Sequence, residues 1–235
     1  MVKNIALSLL VFSSSAFGQS IITKPGMHEL TLPGSERRYT LVIPRGYSES
    51  EAVPLVMSLH YGGPITPYIG RGLLEQLVEP VLDELGAIIV APDSAASGWA
   101  NPTAEQHVIE LLNYIEANYN VDPKRTLLTG YSMGAMGTWY LAPRHPEIFE
   151  AAIPMAGRPQ ADSTDLDWRT PTYVINSSAD ELIPIEPTRA AVESLRAQGA
   201  PIEIMIIDEV THFQIPRYRR HLRSAIPWLE GVWGH

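Results

Sequence analysis

Ser132 has the strongest claim of any residue in this chain to covalent chemistry. It stands in Gly130-Tyr131-Ser132-Met133-Gly134, a G-x-S-x-G pentapeptide. Ahead of it runs a short apolar strand-type segment, Thr126-Leu127-Leu128-Thr129. Behind it the chain continues through Ala135, Thr138, Trp139, Tyr140 and Leu141 in helix-forming style. A strand turning sharply into a helix at a serine exposes the hydroxyl at the apex of a strained turn. Glycines flank the serine because a Cβ at either place would collide with the neighbouring strand or helix. The helix N-terminus beneath it favours negative charge. The alternative is a serine that merely caps the helix.

A serine hydroxyl is a weak nucleophile and needs a base, most often a histidine oriented by a carboxylate. Seven histidines are present, and only His60 and His212 follow predicted strands. His212 lies in Glu209-Val210-Thr211-His212-Phe213, just past the last predicted strand, and is the candidate base. Asn176-Ser177-Ser178-Ala179-Asp180-Glu181 offers Asp180 as the orienting acid and Glu181 as its nearest rival, whereas Asp165 and Asp167 precede their strand and suit a solvated loop. Negative charge on a reacting carbonyl oxygen needs two backbone donors. One is the N–H of Met133. The other comes from the loop His60-Tyr61-Gly62-Gly63-Pro64, with Gly62 the first candidate and Tyr61 the second.

These residues need elements to carry them to one place. Glu29 to Leu32 and Arg38 to Ile43, split by Pro33-Gly34, read as a hairpin of edge strands. Val53 to Leu59 and Ala87 to Ala91 are apolar runs suited to strands buried on both faces. Leu73, Leu74, Leu77, Val81, Leu82 and Leu85 recur at helical spacing up to Gly86, and Thr103 is placed to cap a helix carrying Val108, Leu111, Leu112 and Ile115. Asp122-Pro123 reads as a turn before the elbow strand. Phe149 to Met155, Pro171 to Asn176 and Ile202 to Ile207 are further strands, and Pro187 to Gln198 and Pro216 to Leu229 are helices. Strands alternating with helices predict an α/β fold with a mostly parallel sheet, and residues 19–235 read as one domain. Sites in such sheets form beyond the carboxyl ends of the strands. Ser132, the His60 loop, Asp180 and His212 each follow a strand, so all four fall on one rim.

The chain of 235 residues is 45% hydrophobic and 18% charged, which is enough apolar material for a sizeable core. Lys3, the apolar stretch Ile5 to Phe12 and Ala16-Phe17-Gly18 make residues 1–18 a signal peptide cleaved before Gln19. Its apolar stretch is too short to span a membrane. The absence of cysteine excludes disulfides, so a secreted or periplasmic protein of this sequence holds its fold by packing. The net charge of −9 argues against nucleic-acid and anionic-membrane partners. The locally basic Arg217, Arg219, Arg220 and Arg223 read as a solvated helix face. No metal-ligand, phosphate-loop or dinucleotide motif appears, so no metal and no cofactor is expected.

In the order Ser132, Asp180, His212, and in four longer stretches, the chain resembles the alpha/beta-hydrolases. The stretches are Pro54-Leu-Val-Met-Ser-Leu-His-Tyr-Gly-Gly, Tyr119-Asn-Val-Asp-Pro-Lys-Arg, Thr129-Gly-Tyr-Ser-Met-Gly-Ala-Met-Gly-Thr and His145-Pro-Glu-Ile-Phe-Glu-Ala-Ala-Ile-Pro-Met-Ala-Gly. Within that superfamily it is similar, from about Arg38 onward, to secreted feruloyl esterases and polyhydroxybutyrate depolymerases, which merge with prolyl-oligopeptidase-like esterases. The resemblance implies a serine carboxylesterase with Ser132, Asp180 and His212 as its triad. It departs where the usual His-Gly-Gly becomes His60-Tyr61-Gly62.

Only Arg158 to Thr170 separates the strands between which many lipases insert a lid. The cleft is therefore expected to be open, suited to a short acyl chain or a polymer-borne ester. Trp99, Tyr61, Tyr68 and Trp168 lie on loops where they either contact substrate or pack against the domain. Two other readings are a prolyl-oligopeptidase-type peptidase, whose large propeller this chain is too short to hold, and a non-catalytic binding protein on the same fold.

Overall fold

The computed structural model describes residues 21–64, 66–94, 98–160 and 165–234. Residues 1–18, read from the sequence as a signal peptide, lie outside the described residues.

Eight strands form one sheet: β1 (Gly26–Thr31), β2 (Arg38–Ile43), β3 (Val53–Leu59), β4 (Ile88–Pro92), β5 (Val121–Tyr131), β6 (Ala151–Met155), β7 (Thr172–Ser177) and β8 (Ile202–Ile207). Their spatial order is β1-β2-β4-β3-β5-β6-β7-β8. The hairpin β1–β2 is antiparallel and joins β4 antiparallel, and every other neighbouring pair runs parallel. This is the mostly parallel α/β sheet expected from the alternation of elements.

The helices are α1 (Ile69–Leu73), α2 (Glu79–Leu82), α3 (Pro102–Asn118), α4 (Met133–Leu141), α5 (Ile185–Ala197), α6 (Arg219–Ser224) and α7 (Ile226–Trp233). They cover both faces of the sheet, and the strand sequences explain why both can be covered. Along β3, Leu55, Met57 and Leu59 enter one apolar cluster with Val108, Trp139 and Leu195, while Val56 enters the other with Leu74, Val81 and Leu222. Leu127 and Leu128 of β5 divide in the same way. Truncating Met57 or Leu128, both fully buried, to alanine would cost about 2–5 kcal/mol.

Several local readings are corrected by tertiary structure. The helix expected over Leu73 to Leu85 is continuous in space but not in type: a π segment, Leu74–Val78, joins α1 to α2, and a 3₁₀ turn, Asp83–Leu85, ends it at Gly86, whose φ is 60°. Pro80 supplies no N–H to the carbonyl of Gln76 four residues earlier. That carbonyl instead accepts the Arg219 Nε at 2.7 Å, and the Glu75 carbonyl accepts the same guanidinium at 3.1 Å. Arg223 reaches the carbonyl of Pro80 at 2.9 Å and Glu84 at 3.3 Å. Part of the basic stretch thus ties α6 to the π segment and to the α2 turn that follows it, and is not a free solvated face.

Asn101, not Thr103, caps α3: its Oδ1 accepts the Ala104 N–H at 3.0 Å, and Pro102 follows at N1, where a missing N–H is harmless. Asp122-Pro123 does not separate elements. It sits inside β5, between the Val53–Val121 and Leu55–Thr126 pairings, as an irregularity held by the Asp122 carboxylate on Lys124 N–H and Arg125. The last helix breaks at Ala225, ahead of Pro227, into α6 and α7.

Candidate active site

The elbow begins with the chain reversal between β5 and α4. Ser132 has φ 55° and ψ −115°, a conformation that costs a side-chain-bearing residue on the order of 1–3 kcal/mol. Its surroundings impose it. Ser132 N–H donates to Met155 O at 2.9 Å, and Ser132 O accepts Met136 N–H at 3.0 Å. A Cβ on Gly134 would stand 1.9 Å from Leu59 O, and one on Gly130 would stand 2.4 Å from the Gly134 carbonyl. A third glycine, Gly157, has the same function: a Cβ there would lie 2.4 Å from Ala135 Cβ. Gly157 follows β6, outside the pentapeptide, so the local motif carried no sign of it.

The carboxyl ends of β7 and β8 bring the other two residues to the serine. His212 Nε2 lies 2.8 Å from Ser132 Oγ, and His212 Nδ1 lies 2.8 Å from Asp180 Oδ2. A carboxylate only accepts, so Nδ1 carries the ring proton and Nε2 is free to receive the serine proton. The Asp180 side chain is fully enclosed, and its other oxygen accepts the N–H groups of Leu182 at 3.0 Å and Ile183 at 2.7 Å. These bonds compensate for burying the charge and fix its direction. Glu181, the rival acid, faces the main chain: its Oε2 accepts His212 N–H at 2.9 Å. Tyr131, the residue before the serine, donates its hydroxyl to His212 O at 2.7 Å. The backbone of the histidine is therefore gripped on both its N–H and its C=O. The positioning roles of Glu181 and Tyr131 depend on contacts 31 and 81 residues distant in sequence, and no local pattern announced them.

His60 does not reach the serine. Its Nδ1–H donates to Tyr61 O at 2.7 Å and its Nε2 accepts Ser94 N–H at 3.0 Å, which fixes the neutral tautomer. Burial lowers its pKa, partly offset by its hydrogen bond to Tyr61. The imidazole joins the loop after β3 to the loop after β4. Trp99 completes the junction: its Nε1 donates to His60 O at 2.9 Å. Gly62 is exposed and faces the elbow, since a Cβ on it would lie 3.6 Å from Met133 Sδ.

Two of the four rim aromatics pack inward. Trp99 is buried beneath His60. Trp168 is buried against Trp139, with ring centroids 5.1 Å apart, beside a depression of about 320 Å³ at the amino ends of β7 and β8. That places it at the opposite end of the sheet from Ser132. Tyr61 and Tyr68 are half-buried: the Tyr61 hydroxyl accepts from Gln76, and Tyr68 N–H donates to Asp93. No group of three or more histidine, cysteine, aspartate or glutamate side chains among the described residues is arranged to hold a metal ion.

The family model of the dienelactone hydrolase family matches residues 94–224, more than half of the chain and a span that includes the elbow, Asp180 and His212. The chain belongs to the dienelactone hydrolase family. A relative from Aspergillus terreus (strain NIH 2624 / FGSC A1156), described as "Probable feruloyl esterase C", is 28% identical over 163 residues, which cover 64% of this chain and 56% of that one. The "Probable acetylxylan esterase A" of Aspergillus fumigatus (strain ATCC MYA-4609 / CBS 101355 / FGSC A1100 / Af293) is 28% identical over 171 residues, covering 65% of this chain and 44% of that protein. The chain thus spans about half the length of the curated relatives it matches. A solved structure titled as a thermostable esterase superposes with a TM-score of 0.71 at 24% identity, over 87% of this chain and 62% of that one. The fold is that of an alpha/beta-hydrolase. Residues 156–171 join β6 to β7, too few to form a large lid.

Proposed function

We propose that this member of the dienelactone hydrolase family is a serine carboxylesterase acting through an acyl-enzyme. The observation that carries the proposal is the unbroken chain of hydrogen bonds from Ser132 Oγ through His212 to Asp180, both links 2.8 Å, at the strained turn above the α4 N-terminus. Ser132 attacks the ester carbonyl while His212 Nε2 takes its proton. His212 then gives that proton to the leaving alcohol. A water, deprotonated by the same nitrogen, attacks the acyl-enzyme and releases the acid.

The oxyanion is held by Met133 N–H and by Gly62 N–H. Peptide geometry leaves the Gly62 N–H available for this. In a trans peptide the C=O and the following N–H point in opposite directions. The Tyr61 C=O is turned toward the His60 ring, which directs Gly62 N–H away from that ring. The relatives described as feruloyl and acetylxylan esterases support short-chain or polymer-borne esters as the substrate class, and the short β6–β7 connection supports an open cleft that admits them. The apolar stretch Ile5 to Phe12 behind Lys3 supports export, with residues 19–235 as one catalytic domain.

The test is hydrolysis of p-nitrophenyl acetate and butyrate by the purified protein. Activity that falls about 10⁴-fold or more in Ser132→Ala, with the melting temperature retained, is the expected result. Inertness of the wild type toward these esters, with cleavage of a Gly-Pro anilide, would replace this reading with a peptidase. Inertness toward both would leave a binding protein on a hydrolase fold.

A further inference from the structure

Two large hydrophobic side chains stand out as exposed among the described residues: Phe213 at 74% and Leu182 at 54%. Neither position is arbitrary. Phe213 directly follows His212, its ring edge-to-face with the imidazole at 5.5 Å between centroids. Leu182 donates its N–H to the Asp180 carboxylate that also binds His212. The bond from His212 N–H to Glu181, between the residues that precede Phe213 and Leu182, ties the two loops together. A soluble surface ordinarily leaves single apolar residues scattered. Here two are tethered to one triad.

Their place in the sheet determines which half of an ester they meet. Strand order runs β3-β5-β6-β7-β8, with Ser132 at the end of β5. The donors for the carbonyl oxygen lie on the β3 side, at Gly62 and at the start of α4. His212 and Phe213 lie on the β8 side. The leaving oxygen must come within hydrogen-bonding distance of His212 Nε2, because that nitrogen returns the proton to it. The alcohol half of the substrate is therefore directed toward Phe213, and the carbonyl oxygen away from it.

We infer that Phe213, with Leu182 on the loop tied to its own, is the platform on which the alcohol half of the substrate rests, and that the preferred alcohol presents a flat C–H face, such as a ring. The inference rests on the esterase reading above and assigns the leaving-group subsite within it. The physical basis is that an exposed aromatic ring gains apolar contact area when a ring covers it and loses little freedom in doing so.

The test keeps the acyl group constant. The kcat/KM ratio of cyclohexylmethyl acetate to ethyl acetate compares two primary alcohols that differ in the ring. Phe213→Ala should lower that ratio about tenfold, mainly through KM, while Phe213→Trp retains it and Leu182→Ser lowers it less. The ratio of methyl cinnamate to methyl acetate, which varies only the acyl side, should be the same in all variants. A melting curve on each variant verifies the fold, and truncation of an exposed side chain is not expected to shift it. An unchanged alcohol ratio in an active enzyme overturns the platform alone. A change confined to the acyl ratio overturns it too, moving Phe213 to the other half of the substrate. A wild type inert toward every ester overturns the esterase reading, and the platform with it.

Discussion

The hydroxyl of Tyr131 is bonded to the main-chain carbonyl of His212 at 2.7 Å, so the residue before the nucleophile holds the backbone of the base. The strand explains the reach. Ser132 sits at the apex of the elbow, and the preceding side chain drops to one face of the sheet, into the cluster with Tyr218 and Leu222. There the ring stands edge-to-face with Tyr218 at 5.1 Å. Burial, and after it the neighbouring Tyr218, pushes the Tyr131 phenol far above its ordinary pKa, so it remains a donor at any working pH.

Tyr131→Phe keeps the packing and removes this one bond. It leaves a carbonyl without its partner in a buried site, a loss of about 1–3 kcal/mol in stability. The His212 loop then has more freedom, and imprecise placement of a base lowers kcat by up to about 100-fold. Steady-state kinetics should show the loss in kcat with KM little changed, and a melting curve should show the destabilisation. Unaltered kcat would mean that Glu181 alone suffices to hold the loop.

The two neighbouring acids should separate cleanly. Asp180→Asn keeps the shape but presents an amide to His212 Nδ1, which disturbs the tautomer, and a loss of about 10⁴ in kcat is expected. Glu181→Ala removes only an exposed carboxylate from His212 N–H, which water can replace. Its expected effect is about 1 kcal/mol of stability and less than about tenfold in kcat. Equal losses in the two variants would return the orienting role to both acids.

Gly62 offers a paired test of the oxyanion donor. Gly62→Ala keeps the N–H, and its Cβ would meet Met133 Sδ at an ordinary 3.6 Å. Gly62→Pro deletes the N–H. The alanine variant should hydrolyse p-nitrophenyl acetate within a few-fold of wild type, and the proline variant about 10²–10³-fold more slowly. If both variants remain active, the second donor is elsewhere in the loop, with Tyr61 the next candidate.

The strands that place these residues could be read directly from the sequence. Arg38–Ile43, Val53–Leu59 and Ile202–Ile207 appear with the boundaries expected, because long apolar runs between turn residues admit few other structures. The meeting of Ser132, Asp180 and His212 on one rim was legible for a related reason: each follows a strand, and strand ends are local features. What was not legible was set at long range. Trp99 looked like a rim aromatic but is buried, because His60 O needs its indole N–H. The carbonyl that Pro80 leaves open in the π segment at Leu74–Val78 is taken up by Arg219, more than 140 residues away. Phe213 was visible as a residue beside the base, but only the fold shows that it is exposed.

His60 predicts how stability follows pH. The folded ring donates Nδ1–H to Tyr61 O and accepts Ser94 N–H at Nε2, so protonation destroys the second bond. Burial depresses the folded pKa below the ordinary 6.5. Between that depressed value and 6.5 the unfolded chain binds the proton and the folded one does not, so stability rises with pH across this window. The contribution is present in full above 6.5 and is lost as the solution is acidified through the folded pKa. His107 and His221 are shifted downward as well, both mainly by partial burial, and add in the same direction. Denaturant melts of the wild type should therefore show stability falling as pH drops from 7.5 toward 5. His60→Asn retains a donor for Tyr61 O but no titrating ring. It should be less stable at pH 7.5, have a flatter profile and approach the wild type at the acid end. Parallel profiles for the two proteins would show that His60 does not carry the pH dependence, and would place it on His107, His221 and the carboxylates.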